Sequence, residues 1–288
     1  MTSLSPSLKA LINAPHARPG PLLISAPRLR AVLVSIAREA SSHHLTPRPW
    51  IALSAAALIT LNAPSGLPIL HALASADQEK DRDAVSTTTA ELIREVGLKC
   101  ISFNGIPRTI NALNFFRSSL PSHVTCSLRT TPTRDWDSSV TTRDLSARGR
   151  ALWNSIYAPL DGRLIDKLSL AHPDLPIVIL QSHYGALLAD PPGRNREAGN
   201  SVGRLLTSVV AVAALRAQTG VGPQVVSHVL GLRKGVADGS CREDGDETAE
   251  AAGWLASDEG SEWILKSVDR IVEVVGGSSF ATRGDSKL

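Results

Sequence analysis

Between Val202 and Ala217 the chain is apolar on nearly every side, and this most constrains the fold. The stretch is shorter than the roughly 18 to 20 residues a helix needs to cross a bilayer, so it must be wrapped by other protein elements. A second such run, Trp50 to Leu61 (WIALSAAALITL), is ended by Asn62, Pro64 and Gly66 and has the same need. No membrane span is expected, and these two runs are read as buried helices.

The remaining patterns are helical. Pro27 to Glu39 sets Leu29, Val32, Leu33 and Ile36 on one face, and Arg48 to Leu61 and Leu67 to Ala74 follow. Thr88 and Glu91 have capping-box spacing before Leu92, Ile93 and Val96, with Gly97 as a stop. Asn104 to Ser119 completes a first half over residues 27–120. Residues 121–141, rich in Ser, Thr, Pro and Arg, read as a linker.

A second half over 142–275 contains helices at Arg143 to Tyr157, Asp161 to Leu170, Leu175 to Leu188, Val202 to Ala217, Pro223 to about Arg233, and Glu262 to Val275. A solvated acidic loop is expected at 236–250. Residues 1–26 read as an extended N-terminal segment and 276–288 as a flexible tail. No strand ladder is visible, so the expected class is all-α, a helical bundle with two similar halves. Each half has an apolar helix, a Pro/Gly turn and a shorter helix carrying a His, His71 in the first and His228 in the second.

With 288 residues and 43% hydrophobic content, the chain can bury a substantial core. The net charge of +3 is not gathered into a basic block, so no nucleic-acid partner is indicated. Cys100, Cys126 and Cys241 are odd in number and widely spaced, which fits reduced structural thiols. No metal cluster, phosphate loop or dinucleotide fingerprint is present, so no metal and no cofactor is expected. No acidic residue precedes Glu39, as in a mitochondrial leader, but Pro15, Pro19, Pro21 and Pro27 would break the helix such a leader needs. The final residues Ser286, Lys287 and Leu288 form a receptor-read address for the peroxisome matrix. A peroxisomal import receptor is thus an expected partner.

Gly222-Pro223-Gln224-Val225-Val226-Ser227-His228 is the segment that could carry chemistry. On a helix Gln224 and His228 lie one turn apart on the same face. A His held beside an amide inside an apolar bundle can accept and return a proton, and a pocket with His228 at its wall is expected. His183 and Tyr184 are candidate substrate contacts, and Arg204 a candidate for holding an anionic group.

These words resemble a known family. Arg204-Leu205-Leu206, Val209 to Arg216 and TGVGPQVVSHVLGLRKG (Thr219 to Gly235) look like the core helix pair of the carboxymuconolactone decarboxylase and alkylhydroperoxidase D (AhpD)-like superfamily. DLPIVILQSHYGALLAD resembles the helix before that pair, and ALITL, ELIREVG and GIPRTINALNFF the family's run of short helices. With the terminal tripeptide, the likeness is to fungal peroxisomal members. It covers most of 48–120 and 143–235.

The resemblance implies an AhpD-like bundle and a homo-oligomer, simplest as a dimer. The family's peroxidase branch uses a Glu, a Cys-x-x-Cys pair and a His; here His228 matches the His, while Val209, Val221 and Gln224 occupy the other three positions. Without a thiolate nucleophile, Cys-dependent peroxidase chemistry is not expected. The resemblance implies instead a decarboxylase-like lyase or isomerase. His228 would act as general acid/base, with Gln224 beside it, on a small organic acid or lipid-derived metabolite. The alternative is a non-catalytic binding or assembly scaffold in the peroxisome matrix.

Overall fold

The computed structural model describes residues 4–14, 24–76, 82–134, 140–190, 201–241 and 247–276. Ser286, Lys287 and Leu288, and the tail they end, lie outside them. Among the described residues every regular element is a helix, and none is long and apolar enough to cross a membrane. The chain is all-α.

In order the helices are α1 (Pro6–Ile12), α2 (Ala26–Ser42), α3 (Pro47–Thr60), α4 (Gly66–Ala74), α5 (Arg82–Lys99), α6 (Ile101–Asn104), α7 (Ile106–Ser119) and α8 (Ser122–Ser127). They continue as α9 (Thr142–Tyr157), α10 (Asp161–Ala171), α11 (Leu175–Val178), α12 (Gly203–Gln218), α13 (Gly222–Ala237), α14 (Ala249–Leu255) and α15 (Asp258–Val275). The two all-apolar runs are α3 and α12, which pack against each other at the centre. α15 packs against both, and α2, α4, α5 and α13 complete the shell. One core cluster draws on Leu53, Leu58 and Ile93 from the first half and on Leu206, Val210 and Val268 from the second.

Several boundaries differ from the sequence reading. Residues 6–12 of the segment expected to be extended form α1, started by Ser5, whose hydroxyl accepts from the Leu8 N–H. The linker contains α8, held down by buried Val124. Helix α5 starts before Thr88, so Thr88 and Glu91 lie within it and not at its cap. Glu91 instead accepts from the Arg129 N–H at 2.7 Å and pairs with Arg94. At the edge of the acidic loop, Glu247 is bonded rather than solvated, accepting from the Thr46 N–H at 3.0 Å just before α3. Helix α13 extends to Ala237 and α14 begins at Ala249, shortening that loop from both sides.

The helix after α10 changes pitch. It starts as α11 and continues over Ile179–Leu188 as a π-helix, a rare form frequent at functional sites. It lies on α9 with almost no gap. A Cβ on Gly149 would fall 1.9 Å from the Leu180 carbonyl oxygen, and one on Gly185 2.0 Å from that of Leu145. Only glycine permits this approach. It brings the π-helix residue Tyr184 against Trp153 and Tyr157 of α9, which form a second, smaller cluster.

Candidate functional site

Helix α13 starts with Pro223 in its first turn, where the missing N–H costs nothing. Its inward face carries His228, Gly231, Leu232 and Gly235. A Cβ on Gly231 would meet Ile156 at 2.6 Å, so the glycine lets α13 close onto the end of α9. That closure sets His228 beside Tyr157. The His228 Nε2 lies 3.4 Å from the Tyr157 hydroxyl, which is 2.9 Å from the Tyr184 hydroxyl.

The three polar tips sit in an aromatic surround. Trp153 leans on Tyr157 with ring centres 4.1 Å apart and meets Tyr184 edge-on at 5.1 Å. Phe103 presents an edge to His228 at 6.1 Å. Gly105, with φ of 79°, breaks α6 from α7 just after Phe103, and Gln218 donates to the Phe103 carbonyl at 2.6 Å. His228 is 6% exposed. Its Nδ1 is buried and has no hydrogen-bond partner among the described residues.

Arg204 of α12 ties the surrounding helices together. Its Nε donates to the Ser155 hydroxyl at 2.9 Å, and its Nη2 donates to the carbonyls of Ser155 at 3.1 Å and Gly231 at 2.9 Å. Its Nη1 donates to the Ser208 hydroxyl. Burial, reinforced by the nearby Arg204 charge, pushes the His228 imidazole down to about 4. His228 is therefore neutral at neutral pH. Burial raises the Tyr157 and Tyr184 phenols, so both stay protonated. The result is a neutral hydrogen-bonded line, imidazole to phenol to phenol, beside a fixed positive charge.

A cavity of about 510 Å³ opens on the other side of Arg204, lined in part by Arg148, Ser155, Asp190, Thr207 and Ser240. The wall it shares with the relay is Arg204 and the 155 turn of α9, whereas the sequence reading put His228 at the wall. His228 stays one layer behind, because Gly231 draws α13 against Ile156. Asp190 of this lining belongs to a buried ion pair that the sequence did not announce. Lys99 Nζ donates to Asp190 Oδ1 at 2.6 Å, to Thr207 Oγ1 at 2.8 Å and to the Leu188 carbonyl at 2.6 Å. Ser201 Oγ and the Gly203 N–H both donate to Asp190 Oδ2 at 2.7 Å. Burial opposes ionisation of Asp190, but Lys99 and these donors outweigh it and hold the carboxyl well below the usual range.

The other candidates fall apart in space. Gln224 is exposed, a turn before the buried part of α13, and stands outside the cluster. Tyr184 is in the relay. Its neighbour His183 is turned away, its Nδ1 3.1 Å from Ser102 Oγ, and burial lowers its proton affinity. His71 is a satisfied core residue, with Nε2 2.9 Å from the Ser86 carbonyl and its ring edge-on to Phe116. Cys100 is fully buried, and burial pushes its thiol up to about 12, so it is no nucleophile near neutral pH. Sequence reasoning missed Tyr157 and Ser155. The available signal was Trp153 and Tyr157 at i,i+4 on the helix preceding the Tyr184 segment.

No family model matches the chain, and no solved structure matches it. Among curated proteins, Peroxisomal protein 2 of Saccharomyces cerevisiae is 28% identical over 210 residues, covering 67% of this chain and 68% of that protein. The chain is thus similar to a protein named for the peroxisome, which suggests a peroxisomal association.

Proposed function

We propose that this chain is an enzyme of the peroxisome matrix, related to the carboxymuconolactone decarboxylase and AhpD-like superfamily, that works by proton transfer on a small organic acid. The observation that carries this reading is the continuous His228–Tyr157–Tyr184 line beside Arg204. In this proposal a substrate carboxylate enters the cavity and takes up the Arg204 face. Its negative charge offsets the field of Arg204, the lesser of the two causes that lower His228, and so raises the proton affinity of His228 while burial still holds it below its ordinary value. The acid would reach the line at Tyr157, two residues beyond the Ser155 that lines the cavity; Tyr157 would take the substrate proton as it gives its own to His228, with Tyr184 holding its hydroxyl in place. Decarboxylation or isomerisation both use such a relay, and neither needs a thiol. The proposal includes import through Ser286, Lys287 and Leu288, and a homodimer for which exposed Val226 and Leu230 of α13 offer apolar surface.

The test is nitrogen NMR of the labelled His228 ring at pH 7 while the full chain is titrated with a panel of small mono- and dicarboxylic acids. Saturable displacement of the His228 resonances by at least one acid, absent in Arg204→Gln, is the expected result. If no acid in the panel moves His228, the second reading takes its place: a non-catalytic binding or assembly scaffold. Its supporting observation is that Val209, Val221 and exposed Gln224 leave three of the four family relay positions without an acid or thiol.

A further inference from the structure

The larger cavity lies in the first half, away from the relay. It is about 720 Å³ and sits among α2, α3, α4 and α5, within the range of sites for small organic ligands. Its walls are mainly apolar: Val34 and Ala37 of α2, Leu73 of α4, and Val85 and Leu92 of α5. Trp50 and Ile51, 6% and 2% exposed, are core side chains that also line it. Ser41, Thr88 and Thr89 are the small polar residues of the lining.

The charge of this lining is one-sided. Among the described residues Arg38 and Arg48 contribute to it, and no Asp or Glu does. Arg48 is engaged, donating to the Ser201 carbonyl. Arg38 is different: it is exposed and makes no ion pair or hydrogen bond among the described residues. Its neighbour in sequence, Glu39, faces the other way and is taken by Arg270, with Nη2 to Oε2 at 2.6 Å. A mainly apolar chamber whose described residues carry an uncommitted guanidinium and no carboxylate is complementary to a ligand with an apolar body and a single negative end.

We propose that the α2–α5 cavity is a binding site for an amphipathic monocarboxylate, with the apolar chain against Trp50, Ile51 and Leu92 and the carboxylate on Arg38. This does not depend on the relay in the second half. A carboxylate is favoured because the planar guanidinium matches it with two parallel hydrogen bonds, and Ser41 lines the same space.

The probe is decanoate, kept below its micelle concentration and followed by calorimetry with the full chain; decan-1-ol is the uncharged comparison. Saturable binding of decanoate at one site is expected. Arg38→Gln, on an exposed position that does not disturb the core, should weaken it about tenfold or more, the loss expected for a hydrogen bond to a charged group. Decan-1-ol should bind more weakly and be indifferent to Arg38→Gln. Ala37→Trp, if its helicity matches the parent, should weaken binding of both by obstructing the chamber. Three results would overturn the proposal: no saturable decanoate binding, equal binding by parent and Arg38→Gln, or undiminished binding by a folded Ala37→Trp chain.

Discussion

Replacing Lys99 by Met is expected to destabilise the full chain by about 3–5 kcal/mol, the cost of leaving a buried charge without its partner. Lys99 is completely buried, and the Asp190 side chain is 2% exposed. Methionine matches the length of the aliphatic stem, so the loss is electrostatic more than steric. Asp190 would keep Ser201 and the Gly203 N–H but lose its cation, and Thr207 and the Leu188 carbonyl would lose a donor. The double variant Lys99→Met with Asp190→Leu removes both charges and should recover part of the loss. Urea unfolding followed by circular dichroism measures each. A single-variant loss under about 1 kcal/mol would mean that the pair is not closed as described. The effect matters for function because this pair joins α5 to the start of α12, where Arg204 is mounted.

The second large effect is in pH. His228 has a folded-state proton affinity pushed down to about 4 by burial and then by Arg204, from an ordinary value near 6.5. The sign follows from which state takes the proton. Below about pH 6.5 the unfolded chain binds a proton at this position and the folded chain does not, so acid favours unfolding. The contribution of His228 is intact above pH 6.5 and is lost as pH falls through the window down to about 4. Over that window the loss is roughly 3 kcal/mol. His71 and His183, both lowered by burial, act in the same direction, whereas Asp190 matters only below the ordinary carboxylate range. In His228→Leu the decline of stability between pH 6.5 and 4 should be shallower by about that amount, whatever the offset at pH 7. Parallel curves for parent and variant would show that His228 titrates normally and is not buried as described.

The all-α class was legible because the sequence repeats apolar residues at helical spacing, and α3 and α12 were legible as central because no polar face was left to them. The extent of α5 was obscured by Thr88 and Glu91, whose spacing mimics a cap. Glu91 is claimed instead by Arg94, a turn further along the same helix, and by the Arg129 backbone from outside it. His228 and Tyr184 could be picked as chemical candidates from residue type. Their meeting with Tyr157 could not, because it rests on glycine-permitted approaches of α13 and the π-helix to α9, distances that no linear pattern encodes. The Lys99–Asp190 pair was hidden for the same reason: a single Lys at a helix end usually reaches solvent, and only the packing of α5 against the region after the π-helix closes water out.

The most direct measurement of the central account is a metabolite profile of cells lacking the protein, complemented with the parent chain, His228→Ala or Tyr157→Phe. All three keep Ser286, Lys287 and Leu288 and are matched for abundance. The account predicts that the parent restores a changed small acid, that His228→Ala does not, and that Tyr157→Phe restores it only in part. Equal restoration by all three would contradict a relay centred on His228.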